Sequence, residues 1–320
     1  MTVLVLVEHD RGVLAPATAE ALTAGRELAG NGSLLAVTIG AAADDLVAEL
    51  AAHGVHDVHQ IHHDVLTDYA PEAWGVVVAA AARALAPDVL LATGTDRGNE
   101  VLAHAAARLD LPFVANVTEV TAGEPAHVTR VRWGGSLLEE AEVTGRPLVL
   151  TMAHHAVEPR PSPAATEPTV HELAVELDAN LARTRVQDRV ERVAGITLAT
   201  APVVVGGGRG VGSAEGFATL EELAGLLGGV VGCSRAVTNN GWRNHTDQVG
   251  QTGTRIAPTV YLACGISGAI QHWVGAMAAK HIVAINTDSD ANMVAKAGYA
   301  VIGDLHEVVP AISAEIHRRR

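Results

Sequence analysis

The chain has almost no cysteine: two residues in 320, Cys233 and Cys264, each within an apolar setting. Two such thiols exclude a disulfide framework and fit a reducing compartment, with both as small core residues. Aromatics are scarce as well, at 3%, while alanine, valine and glycine dominate. That balance suits tightly packed helix-on-sheet layers, and so an α/β architecture, better than an aromatic-rich binding surface. A basic excess is missing: 22 Lys and Arg against 36 Asp and Glu give a formal charge of −14. The one basic cluster, Arg318 to Arg320, ends an expected helix where cations complement the dipole, so nucleic acid is not an expected partner. Long apolar runs are absent too. The longest, such as Trp74 to Pro87, are alanine-rich and broken by charge, too short to span a bilayer. The opening MTVLVLVEHD has neither a basic flank nor a small-residue cleavage site, so a cytoplasmic protein without membrane insertion is expected.

What is present is a large apolar share, 48% of 320 residues, enough for two domains of ordinary size. In the first half, β-branched runs alternate with alanine-rich helical patterns. Val3 to Val7 precedes Ala17 to Ala29, Leu34 to Ile39 precedes Asp44 to Ala52, Val58 to Ile61 precedes Pro71 to Ala86, and Val89 to Thr93 precedes Asn99 to Arg108. Runs apolar on both faces, joined by crossover helices, predict a parallel sheet covered on both sides. After Leu111 the stretch "VTEVTAGEPAHVTRVRWGGSLLEEAEVTGRPLVLTM" reads as antiparallel strands joined by glycine-containing turns. The segment 158 to 168, with four prolines in eleven positions, reads as a surface crossing, and Val170 to Val193 as strand-rich. The expected division is an N-terminal α/β domain over 1–195 and a second domain over 196–320.

The second domain starts with the strand Val203 to Val205, a glycine turn, and a helix whose Phe217, Leu220, Leu223, Leu226 and Leu227 share a face. Three more strand–helix units follow: Val260 to Cys264 with Gly268 to Met277, Ile282 to Ile285 with Ala291 to Ala297, and Ala300 to Ile302 with Leu305 to Ile316. They predict a doubly wound parallel sheet with ligands at the carboxyl ends of its strands.

The glycine turn GGGRGVG fits no common phosphate motif. No start within Gly206 to Gly212 gives the dinucleotide spacing, the next strand ends in Cys and Ser instead of an acidic ribose ligand, and the lysine of a P-loop is missing. A turn needing positive φ explains its glycines but not Arg209, whose guanidinium beside free amides suits a diphosphate. GISGA resembles a hydrolase elbow except that Ala269 stands at the second glycine, so Ser267 reads better as an N-cap-like turn facing an anion with the amides of Gly268 and Ala269. His53, His56, His59, His62 and His63 do not share one face once Val58 to Ile61 is a strand, and read as solvated rim residues instead of a metal site.

Taken in order and spacing, "GGGRGVGS", "GCSRAV", "DQVGQTGTRIAPTVYLACGISGAIQH", "IVAIN" and "IGDL" resemble the α subunit of electron transfer flavoproteins. The resemblance covers everything from Pro202 on, while the first half matches in its βα pattern and length. It implies an electron carrier, not an enzyme with its own turnover. It also implies FAD in the C-terminal domain, a homologous β subunit as heterodimer partner contacting the N-terminal domain, flavin dehydrogenases as donors, and a quinone oxidoreductase or other redox acceptor. The contacts it implies begin with Arg209 and Ser234 near the cofactor, Arg235 against the flavin ring, and Val249, Gly250, Gln251 and Thr252 in the loop beside it. Ser267, Gly268, Ala269, Ile270 and Gln271 match the diphosphate and ribityl loop, and His272 the histidine near flavin O2. Asn286, Asp304 and Leu305 match contacts toward the adenosine end. Thr254 stands where the family often has lysine, and "TNNGW" and "INTD" also depart from its pattern. A cation beside the ring favours its anionic one-electron form, so Arg235 and His272 are both expected to place positive potential there. Two other readings compete: an NAD-dependent or hydrolytic α/β enzyme, opposed by the missing acidic residue and the failed elbow, and a nucleotide-binding module over residues 1–150. The nearest phosphate loop there, "TGTDRGNE", reads as an ordinary strand-to-helix turn.

Overall fold

The computed structural model describes residues 1–181, 183–187 and 196–320. Its contacts divide the chain into two units, Met1–Arg132 with Leu137–Glu191, and Trp133–Ser136 with Arg192–Arg320. The boundary expected between 195 and 196 adjoins 188–195, which lie outside the described residues.

The first unit opens with β1 (Thr2–Leu6), a short ribbon of β2 (His9–Asp10) and β3 (Val13–Leu14), and α1 (Pro16–Ala29). Next come β4 (Ser33–Ile39), α2 (Val47–Ala52), β5 (Asp57–Ile61), α3 (Pro71–Leu85), β6 (Val89–Thr93) and α4 (Asp96–Leu109). Proline stands in the first turn of α1 and α3, where its missing N–H costs nothing. Strands β7 (Phe113–Thr121), β8 (Ala126–Arg132), β9 (Leu137–Val143), β10 (Leu148–Met152) and β11 (Thr169–Glu172) complete a nine-stranded sheet in the order β11-β5-β4-β1-β6-β10-β7-β8-β9.

Three expectations change here. LVLTM is not part of the antiparallel meander: β10 lies parallel between β6 and β7, because all five residues are buried and only an interior position covers both faces. The expected helix over Asp44 to Ala52 begins as a 3₁₀ segment, Ala41–Leu46, and becomes α-helical only from Val47. Of the strand-rich stretch expected over Val170 to Val193, only β11 forms among the described residues, followed by a 3₁₀ turn at Ala179–Leu181. The part of that expectation over 188–193 falls outside the described residues.

The second unit is a five-stranded, wholly parallel sheet in the order β13-β12-β14-β15-β16. Its strands are β12 (Val203–Gly207), β13 (Val230–Cys233), β14 (Val260–Cys264), β15 (His281–Asn286) and β16 (Tyr299–Ile302). Its helices are α5 (Ala218–Leu226), α6 (Arg235–Asn239), α7 (Ile270–Ala276), α8 (Asn292–Lys296) and α9 (Leu305–Arg319). Alternate strand residues face opposite layers. Val205, Leu262 and Ile285 pack with Phe217, Leu220, Leu223 and Val309, while Val204, Tyr261, Ala263 and Ala284 pack with Val249, Ala276 and Met293. The chain runs from β12 outward to β13 and then returns to β14 on the other side. The strand order therefore reverses between β12 and β14, and a crevice opens beyond their carboxyl ends.

Candidate functional site

Gly206 and Gly207 end β12 and Gly208 follows it, each glycine set by a different neighbour. A β-carbon on Gly206 would sit 2.4 Å from the Tyr261 hydroxyl, one on Gly207 2.4 Å from the Phe217 ring, and one on Gly208 2.1 Å from the Gly265 carbonyl oxygen. None of the three has positive φ, so close approach of the packed layers demands these glycines, whereas Gly212 at the end of the same turn does take positive φ (85°). Positive φ recurs at Gly265 (63°) and Gly268 (76°) after β14. The two loops are stitched together by Gly208 N–H to Cys264 O (2.9 Å) and Gly210 N–H to Gly265 O (3.1 Å). The result is a backbone-walled crevice at the reversal point.

That crevice encloses about 640 Å³. Arg209 and Gly210 reach it from beyond β12, Ser234, Arg235 and Asn239 from α6, and Ser267, Gly268, Ala269, Gln271 and His272 from the loop into α7. Asn286 and Asp288 close it beyond β15. Arg209 and Arg235 are exposed, the latter being the first residue of α6 with Ser234 as its N-cap. Asn286 Nδ2 donates to the Ile266 carbonyl at 3.1 Å and fixes the GISGA loop from below. The helix α7 is capped at Ala269, not at Ser267. The Ser267 carbonyl instead accepts from Met293 N–H at 3.2 Å.

The remaining expected residues lie beside the crevice instead of lining it. Val249 is buried and pairs through its N–H with Cys233 O at 2.8 Å, and Gln251 N–H bonds Gln271 O at 2.7 Å. Gly250 packs so closely on α7 that a β-carbon on Gly275 would meet its Cα at 2.3 Å. Thr252 Oγ1 accepts from Gln248 Nε2, and Gln248 Oε1 accepts from Thr238 Oγ1, both at 2.9 Å. Gln248, 2% exposed, thus ties the QTG turn to α6. Ile270 is exposed at the start of α7. Asp304 accepts from His306 N–H at 2.9 Å as the cap of α9, and the Leu305 side chain enters the core.

His272 is 7% exposed, and its Nε2 lies 2.8 Å from the hydroxyl of fully buried Tyr261. Nδ1 is buried without a well-formed hydrogen bond, the Val249 backbone carbonyl being the acceptor near the ring. If the phenol donates, one buried group is left over; if the ring donates, the phenolic proton and the Nδ1 lone pair are both left over. The first arrangement is the cheaper, so Nε2 accepts and the neutral ring carries its proton on Nδ1. Burial, partly offset by the Val249 carbonyl, lowers the His272 pKa to about 4. The positive charge expected on this imidazole is therefore withdrawn: at neutral pH it is a neutral hydrogen-bond donor. Burial also pushes Cys233 and Cys264 up to about 12, which leaves both as un-ionised core thiols.

The histidine-rich stretch is not a uniformly solvated rim. His59 is buried and stacks on His171 with ring centroids 4.9 Å apart, and His63 accepts from Val65 N–H. His62 sits between Asp44 and Glu172 at 2.8 Å from each. Tyr261 and Gln248 escaped notice in the sequence. The available signal was a phenol inside a wholly apolar strand, eleven positions before His272.

The comparisons with known proteins agree on one assignment. The electron transfer flavoprotein domain family matches residues 3–178, and the electron transfer flavoprotein FAD-binding domain family matches residues 197–277. The chain is 38% identical to the electron transfer flavoprotein subunit alpha of Mycobacterium tuberculosis (strain ATCC 25618 / H37Rv) over 321 residues, covering 99% of each chain. It is 34% identical to the subunit of the same name from Bacillus subtilis (strain 168), covering 98% of this chain and 96% of that one. The protein FixB of Clostridium saccharobutylicum is also 34% identical, with 98% and 95% covered. No helix among the described residues is long and apolar enough to cross a membrane. The chain belongs to the electron transfer flavoprotein alpha-subunit family, electron carriers with an FAD-binding domain and a beta-subunit partner.

Proposed function

We propose that the crevice between β12 and β14 is the FAD seat and that the residues around it divide the molecule among them. Arg209 and the amides of Gly268 and Ala269 hold the diphosphate, with Ser267, Ile270 and Gln271 along the ribityl chain. Arg235, Ser234 and the loop Val249, Gly250, Gln251 and Thr252 border the ring, and His272 offers its Nδ1 proton to a ring oxygen. Asn286 lies toward the adenosine end, where Asp304 has one carboxylate oxygen committed to its helix and Leu305 offers only backbone. When bound, FAD supplies electron acceptance and release in one- or two-electron steps. The protein binds it, limits water access and sets the charge around it.

The observation carrying this reading is the meeting in one crevice of two exposed guanidinium groups and side-chain-free backbone at the strand ends, with His272 in its wall. A hydrolase is disfavoured because the imidazole nearest in sequence to Ser267 gives its Nε2 to Tyr261. Our reading extends to residues 196–320 as the cofactor domain and 1–195 as the domain that meets the beta subunit. Flavin dehydrogenases serve as donors in the cytoplasm, and a quinone oxidoreductase or comparable redox protein as acceptor.

The test is the absorbance spectrum of the chain purified with its beta subunit, followed by identification of the flavin released on denaturation. FAD at one per complex is expected. A folded, colourless complex that takes up no added FAD would overturn the assignment, and FMN in the extract would overturn the diphosphate role of Arg209.

A further inference from the structure

A second constellation lies wholly within the first unit. Glu20 sits midway along α1 with its side chain 7% exposed, and a carboxylate so buried needs a paired or coordinated cation. Its Oε2 accepts the backbone N–H of His155 at 2.7 Å. Oε1 faces two imidazoles, His155 Nδ1 at 3.3 Å and His154 Nε2 at 3.8 Å. The three ligand atoms lie within 4.8 Å of one another, the one such group of three among the described residues.

The backbone is arranged for this. His154 and His155 lie in a turn after β10, and their rings stack with centroids 3.7 Å apart. His155 achieves it at φ 64°, a left-handed conformation unfavourable for a residue with a β-carbon. One divalent ion held by all three would neutralise the buried carboxylate. Metal–nitrogen and metal–oxygen bonds of about 2.0–2.1 Å in a tetrahedron place ligand atoms roughly 3.3 Å apart, the separation of Glu20 Oε1 and His155 Nδ1, while His154 Nε2, 3.8 Å from Oε1, must move inward to complete the set.

We propose that Glu20, His154 and His155 form a divalent transition-metal site whose two-nitrogen, one-oxygen donor set suits Zn²⁺, with water in the fourth position. The amide contact at Oε2 orients the carboxylate ligand, as groups behind a metal ligand do. The ion ties the segment following β10 to α1 within the first unit, whereas the FAD crevice is built by residues of the second.

The untagged chain, purified with its beta subunit, is stripped with chelator, dialysed, and titrated with Zn²⁺ by calorimetry and with Co²⁺ by visible absorbance. One equivalent of submicromolar Zn²⁺ and the strong d–d bands of four-coordinate Co²⁺ are expected. Two variants isolate the site. His154→Ala removes a half-exposed ring, and His155→Gly removes the other while easing the left-handed backbone and keeping the amide on Glu20. Each should weaken Zn²⁺ binding by about 100-fold or more and abolish the Co²⁺ bands, because loss of a direct ligand exceeds the 10–100-fold loss typical of a supporting group. FAD content should stay at the parent value in both. A parent complex that binds Zn²⁺ only at millimolar concentration, or a folded His155→Gly variant that binds it as tightly as the parent, would overturn the proposal.

Discussion

Both units set parallel strands around a point where their order reverses, β1 beside β6 in the first and β12 beside β14 in the second. Only the second keeps that point open. In the first unit Glu8 follows β1, and its carboxylate accepts hydrogen bonds from Thr93 Oγ1 (3.3 Å) and Thr95 Oγ1 (2.5 Å) beyond β6. The cavity left there is about 10 Å³, room for roughly one water. Thr95 also caps α4 by accepting from Gly98 N–H at 2.9 Å, so "TGTDRGNE" is the strand-to-helix turn its composition suggested. The same topology thus yields a plugged crevice or an open one. What decides is whether an acid or a run of glycines ends the first strand.

The largest effect should come from closing the open crevice. A β-carbon at Gly208 would meet backbone atoms on its far wall, Gly265 O at 2.1 Å and Ile266 Cα at 2.8 Å, which cannot rotate away as a side chain could. Gly208→Ala is expected to lose about 2–3 kcal/mol of stability and to purify without FAD. Gly212→Ala is the control. It has φ 85° but open space around it, so it should cost about 1 kcal/mol of backbone strain and retain the flavin. Thermal melts and flavin content read both. FAD at parent affinity in Gly208→Ala would mean the cofactor does not use this crevice.

How much of this was legible in the sequence follows from the range of the forces involved. The strand–helix alternation, the two-domain layout and the glycine turn were legible because each rests on local periodicity or local backbone freedom. The place of β10 in the sheet was not, since LVLTM follows a turn as a hairpin strand would, and only competition for coverage on both faces moves it inward. Nor were the separate reasons for Gly206, Gly207 and Gly208, which depend on Tyr261, Phe217 and Gly265 arriving from elsewhere in the chain. The neutral state of His272 is hidden for the same cause. The motif shows an imidazole, but burial and the Tyr261 contact that keep it neutral are tertiary.

Two histidines carry the comparison of units into pH. His272 has its folded pKa lowered, chiefly by burial, to about 4 against an unfolded value near 6.5. The unfolded chain takes up the proton first, so stability present above about pH 6.5 is lost as pH falls toward 4, by up to ~3 kcal/mol. His62 is raised, first by its hydrogen bond to Asp44. Its contribution is full below the unfolded value and lost as pH rises through the folded one. Denaturant melts of the cofactor-free chain should show His272→Gln flattening the acid limb relative to the parent, and His62→Gln flattening the neutral-to-alkaline side more weakly because its side chain is 33% exposed. Parallel parent and His272→Gln profiles from pH 4 to 6.5 would contradict the buried, neutral assignment.

Arginines at the first turns of α4 and α6 sharpen the contrast further. Arg97 stacks over the Tyr69 ring at 5.2 Å, whereas Arg235 is exposed at the crevice. A unit charge about 4 Å from the flavin at an effective dielectric near 20 is worth at most ~4 kcal/mol. After solvent screening, Arg235→Ala should lower the first one-electron potential by on the order of 100 mV, given about 59 mV per tenfold change. Arg235→Lys should retain part of the effect, the charge without the planar fork, and Arg97→Ala should leave the potential unchanged. Redox titrations of flavin-replete complexes decide this, and a parent-like Arg235→Ala would remove that residue from the ring environment.

The smallest effect is expected from unplugging the first unit's acid. Glu8→Gln keeps the size and the acceptor oxygen that Thr93 and Thr95 use but removes the charge, so its stability cost should stay near 1 kcal/mol, within the range of one charge-assisted hydrogen bond. If charge alone excludes an anion from the β1–β6 crevice, the variant should bind ADP or AMP that the parent does not. We expect no such gain. Strand β1 is followed by Val7 and Glu8 with no run of glycines, and the crevice holds only about 10 Å³, so neutralising the acid creates no backbone approach and no volume for a phosphate. FAD should remain at one per complex, and calorimetric titration with ADP should show no heat beyond dilution. Stoichiometric ADP binding by Glu8→Gln would show that the two units differ by one charge and not by the geometry of their strand ends, and the glycine explanation for the open crevice would fail with it.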